Sequence, residues 1–182
     1  SVALSGKNLK RLTFGDYSHQ VQVSPDGKYF ITNYSNVETP NRVALVANTG
    51  KVIKELADSK GAEFADYTIG KTTFFTIPSD DGAYNLPVII TYPRNFDESK
   101  SYPVVMSIYG GPDAGTVRNT WKGTSSQYWA NEGVIQISCD HRASGHFGKK
   151  GVSLMHRNLG DWELVDYITV AKWLKAKPWV AK

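Results

Sequence analysis

The stretch Tyr102–Pro112, which reads YPVVMSIYGGP, has the form of a buried strand that runs into a functional loop. Within it, Val104–Ile108 is an apolar run broken only by Ser107, a pattern typical of a parallel strand covered on both faces. Tyr109 stands where this strand ends, and the Gly-Gly-Pro that follows allows a turn and stops further pairing. Ligands of open α/β sheets bind at this carboxyl end of the strands.

The rest of the second half alternates strands with helices. The predicted strands are Thr73–Ile77, Leu86–Tyr92 and Val134–Cys139, and the predicted helices are Trp121–Glu132 and Leu159–Lys177. The first two strands are separated by Ser79–Gly82, which has the form of a hairpin connection. In the second helix, apolar residues recur at steps of four, three and three, which places on one face Leu164, Ile168, Ala171 and Leu174. Alternation of this kind predicts an α/β domain with a parallel sheet and crossover helices. The residues after Pro178 are expected to lead into a further strand.

Residues 9 to 57 read instead as short strands joined by tight turns. The predicted strands are His19–Val23, Tyr29–Tyr34, Arg42–Ala47 and Val52–Leu56. Ser-Pro-Asp-Gly at 24–27 is a turn sequence, since proline presets φ and glycine accepts positive φ. Four such strands form a β-propeller blade or another β-meander, and the blade is the favoured interpretation. Two domains are therefore predicted, a blade-like segment over 1–70 and an α/β domain over 71–182.

Composition, charge and hydropathy indicate an ordinary globular protein and argue against nucleic-acid binding and a membrane span. The chain has 182 residues, of which 41% are hydrophobic and 21% charged, as in ordinary globular proteins. Its net charge of +4 comes from scattered basic residues, so no nucleic-acid partner is expected. No segment is apolar for long enough to span a bilayer. Ser1–Lys10 lacks the apolar core of a signal peptide, so either the protein is cytosolic or the chain starts after its targeting segment.

Two kinds of chemical site can be tested against the sequence. Cys139, His141 and His146 lie close together and could offer ligands to a metal, but no fourth ligand follows at a recognisable spacing. A buried structural thiol with two polar loop histidines is the preferred interpretation, and no metal or cofactor is predicted. A hydrolase nucleophile would lie in G-x-S-x-G, and no serine of the chain has glycine at both positions two residues away. The chain thus has no recognisable Ser-His-Asp triad.

Several spaced motifs nevertheless occur together. They are YPVVMSIYGGP, Trp121, DHRASG at Asp140–Gly145, and RNLGDWE at Arg157–Glu163 followed by Asp166. In this order they resemble the first half of the peptidase domain of the prolyl oligopeptidase family, most closely its dipeptidyl peptidase IV branch. The resemblance implies the N-terminal half of an α/β-hydrolase domain, preceded by a small antiparallel segment that is the last blade of a β-propeller.

The resemblance assigns roles residue by residue. Tyr109 matches the family's tyrosine whose hydroxyl stabilises the oxyanion of the tetrahedral intermediate. Asp140 and Arg142 match a D-x-R-G-S-G loop and are expected to pair ions and shape the loop, in which Ala143 replaces the usual glycine. Two acidic residues of the following helix are expected to be structural rather than catalytic, namely Glu163 and Asp166. The serine, aspartate and histidine of the triad are expected beyond Lys182.

The resemblance also implies a function. It describes a fragment of a serine exopeptidase that releases Xaa-Pro or Xaa-Ala dipeptides from the N-terminus of peptides by acyl-enzyme hydrolysis. The chain alone is expected to be inactive. For the parent protein it implies peptide substrates, a homodimer and a periplasmic or secreted location. A related acylaminoacyl peptidase or oligopeptidase stays open, as does a non-catalytic module that binds a peptide or a partner.

Overall fold

The structure is a computed structural model that describes residues 1–123 and 127–182. The chain forms two compact units. The first consists of Ser1–Tyr67 with Asn119–Gly123, and the second of Thr68–Arg118 with residues 127–182. No helix in the described part is long and apolar enough to cross a bilayer.

The first unit is built on a four-stranded antiparallel sheet. Its strands follow the order of the chain: β1 (Ser18–Val23), β2 (Tyr29–Ser35), β3 (Arg42–Ala47) and β4 (Val52–Asp58). A 3₁₀ helix, Ala62–Asp66, follows β4. All four predicted strands are present, with ends within two residues of the prediction, because alternating side chains and strong turn sequences define strands of this kind well.

The core of the first unit lies on one face of this sheet. Its buried residues come from the two central strands and are Phe30, Tyr34, Ala44 and Val46. Leu12, Phe14 and Tyr17 pack against them from the segment before β1. Strand β4 is exposed along its whole length. The two central strands are thus covered by apolar side chains, whereas the edge strand β4 is exposed to solvent.

The second unit contains a mixed sheet. Its strands are β5 (Thr72–Pro78), β6 (Asn85–Thr91), β7 (Val104–Ser107) and β8 (Ile135–Cys139), in the spatial order β5-β6-β8-β7. Strands β5 and β6 form an antiparallel hairpin, and β6 pairs antiparallel with β8. Among the described strands, β7 and β8 are the parallel pair. The hairpin predicted at Ser79–Gly82 is therefore present, and the parallel pairing expected from the alternation is found between β7 and β8, whereas the antiparallel pairing of β6 with β8 was not predicted.

The described part of this unit also contains three α-helices. They are α1 (Gln127–Asn131), α2 (Gly148–Val152) and α3 (Trp162–Lys175), and a 3₁₀ turn at Ser153–Met155 follows α2. Of the helix predicted over Trp121–Glu132, residues 127–131 are helical and 121–123 are not, and 124–126 lie outside the described residues. The helix predicted over Leu159–Lys177 is confirmed with tighter ends.

The apolar stripe predicted on α3 was assigned to the wrong face. Tyr167, Val170 and Leu174 are buried in the core of the second unit. Leu164 and Ile168, which share the predicted stripe with Leu174, are exposed. The helix carries apolar residues on more than one side, so spacing alone did not identify the buried face.

Strand β7 is less covered than its sequence indicated. Three of its four residues are half-buried and Ser107 is exposed, whereas β6 is buried at all but its first residue. Beside the start of β7, the Tyr102 N–H donates to the Trp179 carbonyl and the Ala181 N–H donates to the Tyr102 carbonyl, both at 2.9 Å. Tyr102 and Val180 form a parallel bridge. The residues after Pro178 therefore begin to pair as a strand, as predicted.

Candidate active site

Tyr109 follows the carboxyl end of β7 and projects from the second unit, with 71% of its surface exposed. The next residue, Gly110, has a φ of +84°, which glycine adopts without steric cost. Gly111 lies directly against the Tyr109 ring, so a methyl group at this position would overlap with the ring carbon Cε1. The two glycines thus let the chain turn sharply while the aromatic ring lies over the backbone.

The turn Tyr109–Asp113 is attached to the loop that follows β8. The Asp113 N–H donates to the Ala143 carbonyl at 2.9 Å. His141 Nε2 lies 3.2 Å from the Gly111 carbonyl oxygen. The alanine that replaces the family's usual glycine is fully buried, and its φ lies outside the left-handed region. Alanine is therefore compatible with the geometry of this loop.

Asp140 connects the same two loops by its carboxylate. It accepts from the Thr116 N–H and the Val117 N–H, each at 2.7 Å, and from the Thr116 hydroxyl at 2.9 Å. His146 Nε2 lies 2.7 Å from Oδ2 of the same carboxylate. Asp140 is buried, and its oxygens are engaged by loop backbone and side chains. This arrangement fixes loop shape, which agrees with the structural role expected for Asp140.

Arg142 is buried beside the carboxylate of Asp166, which lies on α3. Its Nη2 is 2.7 Å from Oδ1 and its Nε is 3.0 Å from Oδ2 of Asp166, and its backbone N–H donates to the same Oδ2 at 2.8 Å. Its Nη1 donates to Asp81 at 2.7 Å. Hydrogen bonding to Asp166 raises the pKa of Arg142 above its ordinary value. The paired charges tie the loop after β8 to α3.

Further groups complete the surroundings of these ions. Trp162 faces the Arg142 guanidinium with its ring centre 4.3 Å away. A hydrogen bond from the Ser79 hydroxyl, with another from the Ala83 N–H, lowers the pKa of Asp81 to about 2. Glu163 does not join the cluster, since its carboxylate accepts from the Gly160 N–H at 2.6 Å before the first turn of α3.

Cys139 is poorly suited to act as a nucleophile. Burial raises the pKa of the Cys139 thiol to about 12, so the reactive thiolate is scarce at neutral pH. Among residues 1–123 and 127–182, no three His, Cys, Asp or Glu side chains are arranged to hold a metal ion. An open groove of about 600 Å³ adjoins the turn, and its lining includes Pro112, Lys149 and His156.

The structure thus brings together the loops that carry Tyr109 and Asp140–Arg142, and it adds two residues that the sequence did not single out for this place. One is His141, which the sequence offered as a metal ligand or, preferably, as a polar loop histidine. The other is Tyr167, whose hydroxyl lies beside the Gly110 N–H and whose pKa burial raises to about 12. A histidine directly after a strand-terminal aspartate was the available signal for the first. Nothing in the sequence indicated the second.

Comparison with known proteins bears on this site. Residues 120–182 match the prolyl oligopeptidase family. A "Probable dipeptidyl-aminopeptidase B" from Trichophyton verrucosum is 33% identical over 100% of the chain, and one from Arthroderma benhamiae is 32% identical over the same share. The resemblance to the prolyl oligopeptidase family is confirmed. The chain spans 21% of the length of each of these two relatives.

A similar fold is found among solved structures. The crystal structure of Porphyromonas gingivalis dipeptidyl peptidase 4 superposes with a TM-score of 0.86 at 26% sequence identity, covering 98% of this chain and 26% of that one. The predicted fold class is therefore confirmed: an antiparallel, propeller-like β segment precedes the first part of an α/β-hydrolase domain.

Proposed function

We propose that this chain is part of a serine exopeptidase that releases N-terminal Xaa-Pro or Xaa-Ala dipeptides through an acyl-enzyme. The family match and the names of the relatives support a dipeptidyl-peptidase-like activity. The preference for proline or alanine follows only from the family resemblance. We also propose that the blade-like domain covers residues 1–70 and the α/β domain residues 71–182. A homodimer of the full-length protein stays a prediction.

The exposed phenol of Tyr109 is the observation that carries this proposal. It stands at the carboxyl end of a sheet strand, where α/β proteins bind their ligands. A hydroxyl donor held there can stabilise the negative oxygen that forms when an acyl carbon is attacked. The hydrogen-bonded turn beneath the ring gives that donor a defined position.

The nucleophile of the proposed reaction lies in another part of the full-length protein. No serine of these 182 residues has the flanking glycines of a nucleophile elbow, and Cys139 is buried with a raised pKa. An oxyanion donor without a nucleophile and a base cannot carry out acyl transfer. The purified 182-residue chain should therefore not cleave a Gly-Pro or Ala-Pro chromogenic substrate.

Replacement of Tyr109 in the full-length protein tests the proposal. Tyr109→Phe removes only the hydroxyl, so kcat on an Ala-Pro chromogenic substrate should fall by about two to three orders of magnitude while KM changes little. Tyr128→Phe is a matched control, because Tyr128 is a similarly exposed tyrosine of the same unit that lies on α1 instead of the turn. A near-normal kcat for Tyr109→Phe would show that Tyr109 has no part in the chemistry.

A further inference from the structure

Two buried side chains approach the peptide groups that directly follow Tyr109. The Tyr167 hydroxyl lies near the Gly110 N–H. His141, which is 1% exposed, approaches the Gly111 carbonyl oxygen with Nε2 at 3.2 Å. Tyr167 lies on α3, and His141 lies in the loop after β8. The backbone beneath the Tyr109 ring is therefore contacted by side chains other than Tyr109.

The partners of His141 define the tautomer and the orientation of its ring. Its Nδ1 lies 3.2 Å from the Ala143 N–H, which can only donate, so Nδ1 is the accepting nitrogen. The proton then lies on Nε2 and is donated to the Gly111 carbonyl, which can only accept. The ring also meets Tyr167 edge to face, with 5.7 Å between ring centres. His141 thus bridges the two loops in a single orientation.

From this geometry we propose that His141 is a positioning residue for the Tyr109 hydroxyl, an inference that rests on the proposed function. The Tyr109 ring lies against Gly111, so the place of the Gly111 peptide sets where the phenol points. That peptide is bonded through its carbonyl to His141. Misplacement of a reacting or stabilising group by about 1 Å can cost about a hundredfold in rate.

The attachment of the turn does not depend on His141 alone. The bond from the Asp113 N–H to the Ala143 carbonyl stays when the imidazole is removed. Loss of the His141 donor should therefore leave the loop folded and free only the segment under Tyr109. This separates a positioning role from a general effect on folding.

Two substitutions of His141 in the full-length protein distinguish its two hydrogen bonds. Asparagine places an acceptor near the position of Nδ1 and has no donor that reaches Gly111, whereas glutamine places a donor near the position of Nε2. We expect His141→Asn to lower kcat on an Ala-Pro chromogenic substrate by roughly 10- to 100-fold with little change in KM. His141→Gln should retain most of the activity. The reverse order would overturn the inference.

A double-mutant cycle with Tyr109→Phe provides the decisive readout. If His141 acts through the Tyr109 hydroxyl, His141→Asn should cost much less in kcat when that hydroxyl is already absent. An equal loss in both backgrounds would show a general structural role and overturn this inference alone. A normal kcat for Tyr109→Phe would remove the role of Tyr109 on which this inference rests, whereas an unsubstituted full-length protein that does not cleave the Ala-Pro substrate would overturn the proposed function itself. Should His141→Asn fail to fold, a large loss of kcat in folded His141→Gln would contradict the inference.

Discussion

At the scale of single residues, Arg142 is held inside the second unit by two carboxylates of very different exposure. The side chain of Asp166 is 0% exposed, and that of Asp81 is 43% exposed. Removing one member of a buried ion pair leaves an uncompensated charge away from water, whereas an exposed carboxylate contributes little because water and salt screen it. Arg142 therefore allows a buried and an exposed carboxylate partner to be compared in one cluster.

Substitution of each carboxylate by asparagine should separate these cases. Asp166→Asn should lower the free energy of unfolding by about 3–5 kcal/mol. Asp81→Asn should change it by less than about 1 kcal/mol, because its charge is exposed and asparagine can still accept from the Ser79 hydroxyl. Urea denaturation followed by tryptophan fluorescence measures both. Equal losses in the free energy of unfolding would mean that the buried ion pair contributes no more to stability than the exposed one.

At the scale of secondary-structure elements, α3 shows how packing selects among possible faces. The helix presents Tyr167, Val170 and Leu174 to the sheet while apolar residues of its other side stay exposed. Asp166 belongs to the buried face because it must reach Arg142. A polar residue that is buried for an ion pair does not contribute to an apolar stripe. Periodicity therefore located the helix but not its inner side.

Two leucines of α3 give a matched test of this face. Leu174 is 6% exposed and Leu164 is 54% exposed. Leu174→Ala should destabilise the second unit by about 2–5 kcal/mol, since it removes buried methyl groups and leaves a cavity. Leu164→Ala should stay within about 0.5 kcal/mol of the parent chain. Comparable urea midpoints for the two variants would support the stripe predicted from spacing instead.

The secondary-structure elements were predicted from the sequence better than their burial and their pairing. The strands, their turns and the Gly-Gly-Pro turn were predictable because local chain chemistry defines them. The burial of β7 and the antiparallel pairing of β6 with β8 were not, since neighbours distant in the chain decide both. The same holds for the site. Tyr109 was selected through a motif and its catalytic role stays a prediction, whereas the contacts of His141 depend on how two loops meet.

At the scale of the whole molecule, each unit has strand edges with unpaired backbone groups. Within the described residues, β7 is the last strand of its sheet and has β8 as its one strand neighbour. Only Tyr102, before its start, is bridged on the opposite side. In the first unit, β1 and β4 are the outer strands. Such edges pair readily with a second chain.

We therefore expect the isolated 182-residue chain to self-associate. The Ile135 N–H donates to the Pro103 carbonyl, so alternation places the N–H of Met106 on the open side of β7. Met106→Pro should reduce association that occurs through this edge, because proline offers no N–H. Sedimentation velocity at several concentrations measures it. A monodisperse chain with strong hydrogen-exchange protection across Val104–Ser107 would contradict this expectation.

The central place of β8 also has a consequence for the order of folding. The hairpin of β5 and β6 closes locally through a tight turn, but β8 pairs with β6 across a long stretch of chain. Ordering such a loop costs entropy before the pairing stabilises it, which slows folding. During synthesis, β6 and β7 emerge before β8 does. Both strands have unpaired backbone groups at their edges until β8 pairs between them. The risk of misfolding is therefore greatest during this interval.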